Sequence, residues 1–256
     1  MSRKNWTREE LILAINLYCK TPFGRLHNRN PDIIKLAKLL GRSPSAVGWK
    51  LVNFASLDPS LKKRGIKGAV NVSHLDREIW SEFNSNWERL AYESEMLLAK
   101  WTGEPIEAVA EIDPLEIPRR GLDRKALVKV RINQNFFRAA VLAAYEFRCC
   151  IAGLALPDLL NASHILPWSK DEKNRVNPRN GLCLNALHDR AFDRGLLTIT
   201  PDLKVRISSS IRKPTKRTDP TQQFLARYSG MTITLPRRFL PDPEFLEHHN
   251  KKIFKQ

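Results

Sequence analysis

Residues 149–196 read CCIAGLALPDLLNASHILPWSKDEKNRVNPRNGLCLNALHDRAFDRGL. Two of the six histidines fall in this stretch, His164 and His188, and Asn180 stands between them. Ala162 to Trp168 reads as a short strand ended by Pro167, since a proline within an apolar run stops strand pairing. Asn174 to Asn180 is a polar loop, Leu182, Cys183 and Leu184 form a returning strand, and Asn185 can cap a helix carrying His188, Ala191 and Phe192. Strand, loop, strand and helix bring a strand histidine close to a helix histidine. An asparagine at the start of the second strand can hydrogen-bond across to the first.

The rest of the chain sets limits on what such a unit serves. A length of 256 residues allows one large domain or two modest ones. A hydrophobic content of 42%, with six Trp and eleven Phe, indicates a folded protein. Forty-three Lys and Arg oppose 27 Asp and Glu, a net charge of +16, which favours a polyanionic partner. The cysteines are Cys19, Cys149, Cys150 and Cys183. None forms a CxxC pair, so no structural zinc is expected, and their use suits a reducing, cytoplasmic setting. The first residues, MSRKNWTREE, contain no apolar core of a secretory signal. No apolar run approaches the ~18 residues of a membrane span, so no membrane partner is expected.

The first hundred residues read as helices. Thr7 and Glu10 make a capping box for a helix over 5–19. Asn30 caps a second helix that begins at Pro31 and stops at Gly41; Ser43 caps a third with Pro44 in its first turn. Helix, short glycine turn and helix resemble helix-turn-helix and Myb-like modules. In that reading Ser45, Gly48, Trp49, Lys50 and Asn53 lie near the outer face of the third helix and meet DNA. A small helical bundle that uses the same turn only for packing fits the pattern equally well. The basic loop LKKRGIKGAVNVS adds Lys62, Lys63 and Arg64 as phosphate contacts. Residues 74–100 have helical apolar spacing, broken near Asn-Ser-Asn, and 101–125 collects prolines, glycines and charges in the manner of a linker.

Phosphodiester hydrolysis needs an activated water, stabilisation of charge on phosphorus, and help for the departing oxygen. A neutral imidazole suits the first task and a divalent cation the other two. The motifs SHILPW, NPRNGL and LHDRAFDRG together resemble those of the HNH endonucleases, with their ββα-metal fold, in a restriction-type subtype. The resemblance implies that His164 is the general base, that Asn180 holds its imidazole, and that His188 binds the metal. Ser163 occupies the position where many members carry a metal-binding acid, and Asp193 or Asp189 is a candidate to add an oxygen. One divalent ion per site follows, Mg²⁺ first, with Mn²⁺, Ni²⁺ or Zn²⁺ tolerated by an imidazole ligand. Arg179, inside the second motif, joins the expected DNA contacts.

The expected fold is therefore α+β: residues 1–100 a helical, helix-turn-helix or Myb-like DNA-binding domain, 101–125 a linker, and 126–256 a ββα-metal HNH nuclease domain. Beyond the nuclease motifs, LTITPDLKVRI reads as a β-hairpin, MTITLPRRFLPDP as a short strand, and 243–255 as a final helix. SSSIRKPTKRTDP is a basic loop that can meet a DNA backbone. Double-stranded DNA is the expected substrate, in a restriction or phage-defence role. Because one site cuts one strand, a duplex break implies a two-fold homodimer. The rival readings are a non-catalytic DNA-binding regulator on a decayed nuclease fold, and a nuclease for RNA or for nicking only.

Overall fold

The structure, a computed structural model, describes residues 5–65, 72–113, 115, 122–211 and 219–256. Its contacts divide the chain into two compact units, Met1–Ala143 and Ala144–Gln256.

The first unit is helical: α1 (Arg8–Lys20), α2 (Pro31–Leu40), α3 (Pro44–Leu57), α4 (Pro59–Lys63), α5 (His74–Asn84), α6 (Trp87–Thr102), α7 (Ile106–Val109) and α8 (Leu122–Ala144). Local chemistry explains most boundaries. Thr7 and Glu10 exchange side-chain and backbone hydrogen bonds of 2.9 and 3.3 Å, satisfying two donors at the start of α1. Asn30 and Ser43 cap α2 and α3, each followed by proline, and Gly41 takes the left-handed φ of 62° that ends α2. α1 forms the centre of the unit: Leu11, Ile12, Leu13, Ala14, Ile15, Tyr18 and Cys19 are all buried, and α1 packs on α2, α3, α5 and α6. The break expected near Asn-Ser-Asn is real, with Asn86 capping α6.

The stretch 101–125 contains the end of α6, all of α7 and the start of α8; residues 114 and 116–121 lie outside those described. The division into compact units falls later, after Ala143, because Val128, Ile132, Phe136 and Phe137 of α8 are buried. Trp87 of α6 meets Phe136 at 6.4 Å between ring centres.

The second unit holds two small sheets. Strands β1 (Leu160–His164) and β2 (Gly181–Asn185) pair antiparallel, Leu160 opposite Asn185 and His164 opposite Gly181, and α9 (Ala186–Asp193) follows at once and packs on both. Strands β3 (Leu197–Ile199) and β4 (Val205–Ile207) form the hairpin expected around Pro201-Asp202. Helices α10 (Pro220–Phe224) and α11 (Pro243–Lys252) complete the unit. The strand expected after Met231 does not form. Residues 230–233 run beside β4 with a single bridge, Lys204 to Thr232, and then turn away as the Thr234 N–H donates to the Cys150 carbonyl at 2.8 Å. Of the basic loop 208–220, residues 212–218 are outside those described, as are 66–71 of the earlier basic loop. No described helix is long and apolar enough to cross a membrane.

Candidate active site

The β1–β2 pair places His164 at the end of one strand and Asn180 just before the other. Asn180 is fully buried and its carboxamide is used from both ends. Its oxygen accepts the Leu166 N–H at 2.8 Å, while its nitrogen donates to the carbonyls of Leu166 and Asn174, each at 3.2 Å. The Asn180 backbone carbonyl accepts the Ile165 N–H at 2.9 Å. Only a side chain with a donor and an acceptor on one planar group can join both ends of the 166–174 loop in this way. Asn174 is fastened further by Asp171, which accepts its side-chain N–H at 2.7 Å.

That loop delivers Arg175 to the base. The His164 Nε2–H donates to the Arg175 carbonyl at 2.8 Å, which makes Nδ1 the basic nitrogen of the neutral ring. The His164 ring meets Trp168 edge-on at 5.5 Å and 86°. Burial lowers the pKa of His164 below its ordinary value, against smaller upward pulls from the Arg175 carbonyl and the Asp189 carboxylate. A neutral imidazole at neutral pH is the protonation state a general base needs. Asn180 thus bears on His164 through the loop that carries Arg175.

Sequence reading passed over Arg175, which lies in a polar loop with no motif of its own. Its guanidinium stacks over the Trp168 ring at 5.1 Å and pairs with Glu172 at 3.1 Å. Its Nε is buried without a hydrogen-bond partner.

His188 sits on α9, with its backbone N–H capped by Asn185 at 2.8 Å. It is 1% exposed and engaged at both ring nitrogens. Nε2 meets the Phe224 carbonyl at 2.9 Å; Nδ1 lies 3.2 Å from Asn185 Nδ2 and 3.6 Å from Cys149 Sγ. Tyr228 packs edge-on against the ring at 5.2 Å. Burial pushes the Cys149 thiol up, but the His188 contact and neighbouring backbone N–H groups outweigh it and leave the thiol below its ordinary value.

These residues do not fit a metal ion as arranged. No group of three or more His, Cys, Asp or Glu able to hold an ion occurs among the described residues. Both His188 nitrogens are taken, and Asp189 accepts from the Asn161 amide at 2.7 Å. Ser163 Oγ is buried with no hydrogen-bond partner. Asp193 is exposed, and its pKa is raised first by lost hydration and then by Asp189, against Arg190 and Arg194.

The expected DNA contacts separate into distinct groups. Trp49 is 65% exposed, in keeping with an outer face. Lys50 is not on that face: it is 7% exposed and its Nζ donates to both Asp76 oxygens at 2.8 and 2.9 Å. Helical spacing turns Lys50 inward beside Val47 and Leu51, and the buried Asp76 carboxylate compensates its charge. Gly48 is likewise buried. Asn53 donates to Asp76 at 3.3 Å. Lys62 and Arg64 are exposed, and the side chain of Lys63 lies outside the described residues. Arg179 is about half exposed and pairs with Asp242 at 3.0 Å.

Comparison with known proteins adds one result. No curated protein sequence matches the chain. Residues 149–200 match the family model of the HNH endonucleases, whose members generally use a divalent metal ion. The matched segment contains β1, β2 and α9, so the histidines and asparagine just described belong to a segment whose likeness supports an HNH nuclease domain.

Proposed function

We propose that the protein is a DNA endonuclease that hydrolyses phosphodiester bonds, in a restriction or phage-defence role, with His164 as general base. The observation that carries this reading is the setting of His164. It is a desolvated imidazole, neutral at working pH, tied through Nε2 to a backbone carbonyl on a loop held by Asn180. In the reaction a water oxygen bonds to phosphorus, its proton passes to His164 Nδ1, and the phosphorus bond to the leaving 3′ oxygen breaks. That oxygen takes its proton from solvent. Mg²⁺ dependence, with Mn²⁺, Ni²⁺ or Zn²⁺ as substitutes, enters the reading from the family alone, as does the assignment of His188 and of Asp193 or Ser163 as its ligands. The helical unit would hold the duplex through Trp49, Asn53, Lys62, Lys63 and Arg64, with Arg179 beside the site, and two copies would cut both strands.

A second reading, a non-catalytic DNA-binding protein on a nuclease scaffold, is favoured by one observation, the engagement of both His188 nitrogens. Plasmid cleavage separates the two. Wild type should convert supercoiled DNA to nicked and linear forms in Mg²⁺ and not in chelator, and His164→Ala should lose at least ~10²-fold in rate. Binding without cutting by wild type favours the second reading. Equal cutting by His164→Ala removes the proposed base.

A further inference from the structure

We propose that Arg175 is a catalytic residue whose guanidinium binds the non-bridging oxygens of the phosphate under attack; this rests on the nuclease reading above. Three contacts place Arg175 at the reacting centre. Its carbonyl holds His164 at 2.8 Å, its guanidinium lies over Trp168 at 5.1 Å, and Trp168 in turn meets the His164 ring at 5.5 Å. Base, indole and guanidinium therefore form one closed contact set, in which movement of any member disturbs the other two.

The state of the guanidinium argues for a ligand. Arg42 in the first unit shows how an arginine is used for structure alone on a similar tryptophan platform. It stacks over Trp6 at 4.1 Å, gives Nε and a terminal nitrogen to the two Glu10 oxygens at 3.1 and 2.7 Å, and reaches the Asn5 carbonyl at 2.7 Å. Arg175 has the same platform without the same satisfaction. Its Nε–H is buried with no acceptor, and its carboxylate partner Glu172 has a side chain 88% exposed. A pair with so hydrated a carboxylate is weak and easily exchanged. A buried donor left unmet is uncommon and calls for an explanation. An anion that displaces Glu172 and opens the Nε edge, closed to solvent in this structure, would accept from Nε and one terminal nitrogen, and phosphate matches that fork.

The chemistry follows from position. As water attacks phosphorus and His164 takes the proton, negative charge grows on the non-bridging oxygens. A guanidinium already held over Trp168 needs only to exchange Glu172 for that charge, and donors placed in advance lower a barrier. The covalent changes remain those of water, phosphorus and the leaving oxygen; Arg175 contributes hydrogen bonds and charge only. The backbone carbonyl that holds His164 is retained in any substitution at 175, so the side chain can be tested separately from its main-chain role.

The test is steady-state cleavage of a duplex oligonucleotide, in one buffer, by wild type, Arg175→Ala and Arg175→Lys. The alanine variant should lose on the order of 10²–10³ in kcat with KM changed less than about threefold, the signature of an interaction made in the transition state. Added guanidinium at tens of millimolar should restore Arg175→Ala by about tenfold or more and leave His164→Ala unchanged. If Arg175→Ala melts at a lower temperature, Arg175→Lys is read instead: it keeps the charge but lacks the fork, and should lose at least about tenfold in kcat at wild-type Tm. A kcat within threefold of wild type for the variant read, or a loss confined to KM, overturns the proposal while leaving the nuclease reading intact. Failure of guanidinium to restore a folded Arg175→Ala likewise assigns the side chain a merely structural part. If wild type itself cuts nothing, the nuclease reading falls, and this inference with it.

Discussion

His249 shows how one side chain can set the pH range of a fold. It is 1% exposed, stacked on Phe192 at 3.7 Å between ring centres, and bonded through Nε2 to the Phe192 carbonyl and through Nδ1 to Thr198. With Nε2–H given to the Phe192 carbonyl, the neutral ring takes the Thr198 hydroxyl proton at Nδ1, so both nitrogens are satisfied without a buried charge. Burial, opposed by the Phe192 carbonyl and helped by His248, lowers the pKa from 6.5 to about 4. The unfolded chain therefore binds the proton first. Stability is full above pH 6.5 and falls as pH drops toward 4, by about 3 kcal/mol at most. Thermal unfolding of wild type and His249→Gln between pH 7 and pH 4 checks this. Wild type should lose Tm more steeply over that window, and parallel curves would show that another group is responsible. In the sequence His249 has no motif and reads as a surface or packing residue. Its stack on Phe192 arises between residues far apart in the chain, which no local pattern encodes.

Among the elements, α9 shows what a motif can and cannot reveal. The final glycine of HDRAFDRG is visible in the sequence, but its reason lies in tertiary structure. Gly195 has a φ of 68°, and a Cβ added there would lie 2.1 Å from the Ile253 carbonyl oxygen; the Lys255 N–H also donates to the Gly195 carbonyl at 2.9 Å. The obstacle is backbone, so it cannot rotate aside. Gly195→Ala should cost at least ~3 kcal/mol, the left-handed strain plus the displacement of 253–255. Calorimetry of the variant should show the loss, and a Tm within a degree or two of wild type would mean the tail is free to shift. Several helix starts were legible because a cap is chemistry within a few residues: Thr7 with Glu10, Asn30, Ser43 and Asn185 all act locally, whereas the short α4, α7 and α10 and the start of α8 were not read from the sequence. Strands β1 to β4 were legible as short strands, but β1 runs over Leu160–His164 and ends before the Ile165-Leu166-Pro167-Trp168 part of the expected stretch, where Ile165 and Leu166 bond to Asn180 instead. The inward turn of Lys50 was not, since its partner Asp76 lies on another helix, nor was Arg175, whose importance depends on where Asn180 and Trp168 place it. The segment after Met231 pairs with 203–205 only as far as Ile233, where the Thr234 N–H turns to the Cys150 carbonyl.

At the scale of the whole molecule, the proposed DNA binding would be salt-sensitive, because the chain carries a charge of +16. Affinity of His164→Ala for a short duplex should fall by on the order of 10²-fold or more between 50 and 200 mM salt. Lys62→Ala should reduce the slope of log affinity against log salt by about one, and Lys50→Ala should leave it unchanged, its charge being spent on Asp76. Fluorescence anisotropy across a salt series measures all three; an equal change for Lys50→Ala would place that lysine on phosphate after all. Composition pointed to a polyanionic partner, in line with the nucleic acid that a nuclease domain implies. The compact units divide after Ala143 rather than in the proline-containing stretch, because α8 carries a buried apolar face that composition does not display. The buried, unbridged thiols have a consequence of their own. Cys149, Cys150 and Cys183 surround the strand and helix that carry the candidate site, and none reaches solvent. A thiol reagent can modify them only during excursions that expose this core. Their labelling rate by such a reagent is therefore a native clock for breathing of the nuclease unit, needing no engineered label and slowed by whatever ligand holds that unit shut.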